Sequence, residues 1–162
     1  MVDTIQTLDI ASLTPVESAE LEVQTEPMAL TVGLSPASFQ APRPDLNGLR
    51  VKLPGQPEIY LIDQGYRRWI PNPTTFNNLF RNWNGIVEEI SITSIPRGQN
   101  ISSGAILARA YGTAPVYLVD QGLKRWITSP AAMDRYNFAW GRIYELPAIS
   151  LNAIATGANI NA

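Results

Sequence analysis

The stretch 59–70, Ile-Tyr-Leu-Ile-Asp-Gln-Gly-Tyr-Arg-Arg-Trp-Ile, returns at 116–127 as Val-Tyr-Leu-Val-Asp-Gln-Gly-Leu-Lys-Arg-Trp-Ile. Eight of the twelve positions are identical at an offset of 57, and the other four exchange Ile for Val, Tyr for Leu and Arg for Lys. Self-similarity at a fixed period means that the chain carries copies of one supersecondary unit. The fold must therefore be one that two such units can build together.

Within each copy the local signals follow in order. Ile59 to Asp63 and Tyr66 to Ile70 have strand composition, and Gln64-Gly65 between them is the two-residue loop of a tight hairpin, with Gly65 supplying positive φ. Gln121-Gly122 repeats the loop in the second copy. Asn72-Pro73 and Ser129-Pro130 then place a capping residue before a proline at the first helical position. Apolar residues follow at Phe76, Leu79, Phe80 and Trp83, the i, i+3, i+4, i+7 spacing of a helical stripe packed on one face of the hairpin. Met133, Tyr136 and Trp140 repeat that stripe with a gap at Asn137. Short strands are expected before the hairpins, at Leu49 to Leu53 and Ile106 to Ala110, and after the helices, at Ile86 to Ile90 and Ile143 to Leu146. Past Glu88 and Glu145 the offset moves from 57 to 59, which puts a two-residue insertion near Pro147. A short helical turn then leads to Gly98 or Gly157, and the copies close at Ile101 and Ile160.

These limits divide the chain into a tail over 1–45, a first unit over 46–101 and a second over 102–162. A unit of about 55 residues is near the lower limit for a self-sufficient core. The two are therefore expected to form one α+β domain, as tandem hairpin–helix–strand units packed with pseudo-twofold symmetry around a shared core. Residues 1–42 hold six acids and no base, whereas 43–162 hold twelve bases and eight acids. The tail is also rich in proline and poor in bulky apolar residues, so it is expected to be largely disordered, with a short acidic helix over Pro15 to Val23 as its most ordered part. The alternative is a leader or docking segment that binds a separate partner or is removed. Pro42-Arg43-Pro44 reads as an extended linker between the tail and the repeats.

Composition removes many functions. The chain has no histidine and no cysteine. It therefore lacks the commonest general base, the commonest metal ligand and every thiol chemistry. No phosphate-cradling loop, dinucleotide fingerprint or calcium loop is present. The two lysines, Lys52 and Lys124, lie near no serine motif, so no catalytic residue, metal site or cofactor is expected. A surplus of four bases over 43–162, spread along the sequence, does not make a nucleic-acid surface. No apolar run approaches the roughly 20 residues of a membrane span, and no ordinary secretory signal is visible.

The side chains most able to hold a ligand are Asp63, Arg68 and Trp69 with their copies Asp120, Arg125 and Trp126. In a two-residue hairpin Asp63 and Arg68 share a face, diagonally across the strands, while Trp69 lies on the other face opposite Tyr60. Carboxylate, guanidinium and indole could line a pocket for a sugar or other polar ligand. They could also be fold-makers, with Asp63 shaping the turn, Arg68 pairing with it and Trp69 plugging the core beneath the helix. Glu88 and Glu89 point to opposite sides of a strand and form no carboxylate pair. Asp134 and Arg135 read as solvated helix residues, and Asn77, Asn78, Asn82 and Asn84 as helix surface and turn.

The pattern Tyr-Leu-Ile/Val-Asp-x-Gly-x-Arg/Lys-Arg-Trp-Ile, followed by Pro73 or Pro130 and by Trp83 or Trp140, resembles a short tandem repeat of bacterial secreted and cell-surface proteins, one with a poorly defined biochemical role. The resemblance covers about residues 46–160 and supplies no catalytic residue. It implies an extracellular or cell-surface setting. Two functions remain open. The favoured one is a non-catalytic binding module for a glycan or cell-envelope polymer, with two equivalent sites acting together. It requires Trp69, Trp126 or another repeat-equivalent aromatic to be exposed in a groove beside an Arg or Asp. The alternative is a structural or protein–protein interaction unit, self-associating or docked through its acidic tail, and it requires all four tryptophans to be buried.

Overall fold

Both residues of each hairpin loop have positive φ, 53° at Gln64 and 84° at Gly65, then 53° at Gln121 and 74° at Gly122. That is the type I′ turn, whose twist matches the strands it joins, so glutamine as well as glycine accepts the left-handed conformation here. In this computed structural model, which describes residues 39–162, the turns connect β2 (Ile59–Asp63) to β3 (Tyr66–Trp69) and β6 (Val116–Asp120) to β7 (Leu123–Ile127). The tail over 1–38, with the disorder and the short helix expected for it, lies outside the described residues. Tyr60 pairs with Trp69 and Leu61 with Arg68, and Tyr117 and Leu118 pair with Trp126 and Arg125 in the same way.

Strands β1 (Arg50–Lys52) and β5 (Ile106–Ala110) lie antiparallel to β2 and β6. The returning strands β4 (Val87–Glu88) and β8 (Ile143–Leu146) lie parallel on their far sides. The first sheet runs β3-β2-β1-β4 and the second β8-β5-β6-β7-β9, with β9 (Ala155–Thr156) added parallel to β7. The sequence repeat is thus a repeat of strand order. The first unit has a single bridge, Arg67 to Arg97, where the second has β9. β4 is shorter than expected because Ile90–Ser94 winds into a 3-10 turn, where the longer second unit makes α3 (Ala148–Asn152).

The helices α1 (Pro73–Leu79) and α2 (Pro130–Arg135) are capped as their sequences predict. The Asn72 side chain accepts the Thr75 N–H at 2.8 Å, and Ser129 Oγ accepts that of Ala132 at 3.1 Å. Both helices stop before the stripe does. Phe80 turns extended to bridge Phe138 in the other unit, flanked by Ala139 N–H to Leu79 O at 2.8 Å and Arg81 N–H to Asn137 O at 3.0 Å. In α2, Asn137 takes φ 56°, and Phe138 N–H closes on Met133 O at 2.9 Å, a left-handed C-terminal cap. The gap at Asn137 is therefore a stop signal, and Trp83 and Trp140 lie beyond the two α-helices, Trp140 opening a 3-10 turn over Trp140–Arg142.

One apolar cluster draws on both units, including Leu61, Phe76, Leu79 and Phe80 from the first and Leu107, Leu118, Met133 and Phe138 from the second. Each such Leu or Phe, fully buried, contributes roughly 1.5–3 kcal/mol. The far faces of the sheets are covered separately, by Ile92 and Ile95 over Val51, Tyr60 and Ile62 in the first unit and by Leu151 over Ala108 and Ala110 in the second. The fold is mixed α+β with two sheets. Asp134 and Arg135, read as simply solvated, reach across the seam: Arg81 pairs with Asp134 at 2.7 Å and Arg135 Nε donates to Asn47 O at 2.7 Å. The expected linker is not a spacer. Arg43 N–H donates to Gly65 O at 2.9 Å and Ala41 N–H to Ser94 O at 3.2 Å, so the prolines lie flat on the first hairpin turn.

Candidate functional site

The hairpin register puts Asp63 and Arg68 on one face, and Arg68 Nη1 donates to Asp63 Oδ2 at 2.8 Å. Both residues then reach into the other unit. Arg125 donates to Asp63 Oδ2 at 2.5 Å and Oδ1 at 3.0 Å, and Arg68 Nη2 donates to Asp120 Oδ2. The remaining groups are also used. Nε of Arg68 and Arg125 donate to Gln99 O and Ala158 O, and Asp120 Oδ1 accepts from the Ser102 N–H and hydroxyl. Exposure is 1% for Asp63, 7% for Arg68, 3% for Asp120 and 5% for Arg125. Two carboxylates and two guanidiniums form a neutral, buried clasp, as burying charge requires.

The titration directions agree. Burial pushes the Asp63 carboxyl up, but the hydrogen bonds and charges of Arg125 and Arg68 outweigh it and hold it below the ordinary carboxylate value. Burial lowers Arg125, and its bonds to Asp63 raise it above the ordinary value. Burial and the Asp63 charge push the Tyr136 hydroxyl up to about 12. A hollow of about 250 Å³ lies over the clasp, edged by Tyr66, Gln99, Gln121 and Leu123. The structure brings together the four Asp and Arg candidates, but not with Trp69 and Trp126. Carboxylate, guanidinium and indole do not share a pocket, because alternation along β3 and β7 sends Arg and Trp to opposite faces.

Three of the four tryptophans are open: Trp83 at 46%, Trp126 at 40% and Trp140 at 48% exposed, with Trp69 half-buried. The structural-unit expectation of four buried indoles is not met. Trp83 is the most firmly held. Arg50, 6% exposed, donates to Asn82 O at 2.7 Å and Asn84 O at 2.6 Å, gripping the backbone on both sides of it. The guanidinium carbon lies 5.5 Å and 5.3 Å from the Phe76 and Phe80 ring centres, a cation–π seat suited to a buried charge with no carboxylate against it among the described residues. The Trp83 ring stacks on Phe76, with centroids 3.9 Å apart at 19°, and its Nε1–H donates to Asn77 Oδ1 at 2.9 Å. One face and the polar edge are fixed, which leaves the other face to account for the exposure.

Trp83, Phe76, Trp69, Ile59, Pro57 and Pro71 line a cleft of about 310 Å³, with Glu58 also in its wall. None of the known families, characterised proteins or solved structures compared matches this chain. The cleft belongs to the first unit only in this form. At the equivalent positions the second unit has Leu107 for Arg50, Ala114 for Pro57, Met133 for Phe76, and Ala139 and Gly141 for Asn82 and Asn84. The two sites are therefore not equivalent. Sequence reading missed Arg50 because it looked for what the copies share, and the signal was a difference. Among the described residues no cluster of three or more acidic side chains could hold a metal ion, and no helix is long and apolar enough to cross a membrane.

Proposed function

We propose that this chain is a non-catalytic glycan-binding module of a bacterial secreted or cell-surface protein, that its two units pack with pseudo-twofold symmetry, and that its ligand lies in the Trp69–Trp83 cleft. The observation that supports this most is the buried Arg50, which is spent on presenting an exposed indole. Burying a guanidinium is costly unless its donors are met, and here they are met by the carbonyls that flank Trp83. Such a support is out of proportion for an ordinary surface residue. It suits a platform for the flat apolar face of a sugar ring, with Glu58 accepting hydroxyl hydrogens and the prolines keeping the walls stiff. A mostly apolar, preformed concavity with few polar groups is the usual form of a ligand site.

The test is a tryptophan-fluorescence titration across a panel of soluble glycans, with three variants beside the native chain. Trp83→Ala and Arg50→Leu are expected to lose binding, Arg50→Leu also raising quenching of Trp83 by acrylamide. Trp140→Ala is expected to bind as the native chain does. No binding to any glycan, or equal binding by all variants, would reject the proposal.

A further inference from the structure

We infer that the glycan taken by this cleft is anionic, its carboxylate or sulfate groups held by Arg67 and Arg97. This rests on the cleft reading above and goes further in naming the ligand's charge. Arg67 lies two residues before Trp69 on β3, so both side chains emerge on the same face of the sheet, about 7 Å apart along the strand. Arg97 is bridged to Arg67 on the adjoining segment. The guanidinium carbons of both lie over the same Tyr60 ring, 5.0 Å and 5.2 Å from its centre. Among the described residues neither has a carboxylate partner, the ion pairs there being made by Arg43, Lys52, Arg68, Arg81, Arg109 and Arg125. Two like charges on one aromatic ring repel each other, and an anion placed between them removes that repulsion.

The comparison of repeats separates structural from ligand-directed charge. Arg67 Nε donates to Ile95 O at 2.8 Å, and its counterpart Lys124 donates to Ile154 O at 2.6 Å. Capping that carbonyl explains a cation at this position in both units, and lysine suffices for it. It does not explain Arg97, whose counterpart is Thr156. Among the described residues Arg97 donates only to the nearby Asn100 Oδ1, at 3.0 Å. The second cation is thus peculiar to the first unit, as Arg50 and the cleft are. Neither arginine lines the cleft itself, whose wall includes Glu58, and Arg97 also edges the hollow over the clasp. The acidic groups therefore belong at the arginines beside the cleft, with the sugar rings at Trp69 and Trp83.

Titration of the full chain with two matched pairs of polymers tests this: polygalacturonate against its methyl ester, and dextran sulfate against dextran. The native chain is expected to bind the charged member of at least one pair about tenfold more tightly, and to lose that preference as salt is raised. Arg97→Gln should bring the charged polymer to the affinity of its neutral partner without changing the latter, while Trp83→Ala weakens both. An unchanged melting temperature controls for folding. Equal affinity within both pairs, or an Arg97→Gln variant that keeps the preference, overturns the inference while a glycan-binding cleft stands. If the native chain binds no glycan of any charge, the cleft reading fails as well.

Discussion

Asp63 takes hydrogen bonds from the guanidiniums of both units, whereas Asp120 takes one from Arg68 and two from Ser102. The clasp is therefore uneven, and Asp63 is its centre. Asp63→Asn removes the charge while two buried guanidiniums stay, and is expected to cost roughly 3–5 kcal/mol, read from urea denaturation at neutral pH. The pH dependence follows from the lowered titration of Asp63. A folded carboxylate that resists protonation adds stability that is complete above the ordinary value of about 4 and is lost as pH falls through the lower folded value. Native stability should fall in that acid range, and Asp63→Asn should flatten the fall. A variant with the same acid dependence as the native chain would refute this role. Pairing of Asp63 with Arg68 could be read from the hairpin, since the diagonal contact is local. Pairing with Arg125 could not, because strand alternation shows which face a side chain takes and says nothing of what that face meets.

The hairpin turns repeat in backbone conformation but not in surroundings. Gly65 and Gly122 both have positive φ, where an L side chain costs about 1–2 kcal/mol. A Cβ on Gly65 would lie 2.9 Å from Pro42 Cβ and 3.1 Å from Arg43 N, whereas at Gly122 it would meet nothing within 4 Å. Gly65→Ala should therefore lower the melting temperature clearly more than Gly122→Ala does. Equal losses would mean that the segment 41–44 does not rest on the turn in solution. Turns, strand pairs and helix starts were legible because each depends on a few adjacent residues, such as Asn72-Pro73. The helix ends were not. Apolar spacing carried α1 on to Trp83, because an aromatic that folds back to stack on Phe76 has the same spacing as one more helical turn. What ends α1 is the pairing of Phe80 with Phe138, a contact between units.

A shared core was predictable from size, since a unit of about 55 residues is marginal alone, and the main apolar cluster does join the two units. How they meet was not predictable from the repeat. Phe80 bridges Phe138, although the residue matching Phe80 at the offset of 57 is Asn137. The seam thus uses a position where the copies differ, as the cleft does with Arg50 and the arginine pair with Arg97. Duplication supplied the scaffold, and divergence placed the distinctive contacts in the first unit. With Leu61, Phe76, Leu79 and Phe80 all buried against the second unit's side of the core, neither unit should fold by itself. The full chain is expected to unfold in one transition, with Trp83 in the first unit and Trp126 in the second reporting the same midpoint when the other three tryptophans are replaced by phenylalanine. A fragment of residues 39–101 should show no cooperative transition, because its half of the core and the charges of Asp63 and Arg68 would face water or lack partners. A stable fragment, or two separated midpoints, would mean that each unit carries its own core and that the clasp merely joins finished parts.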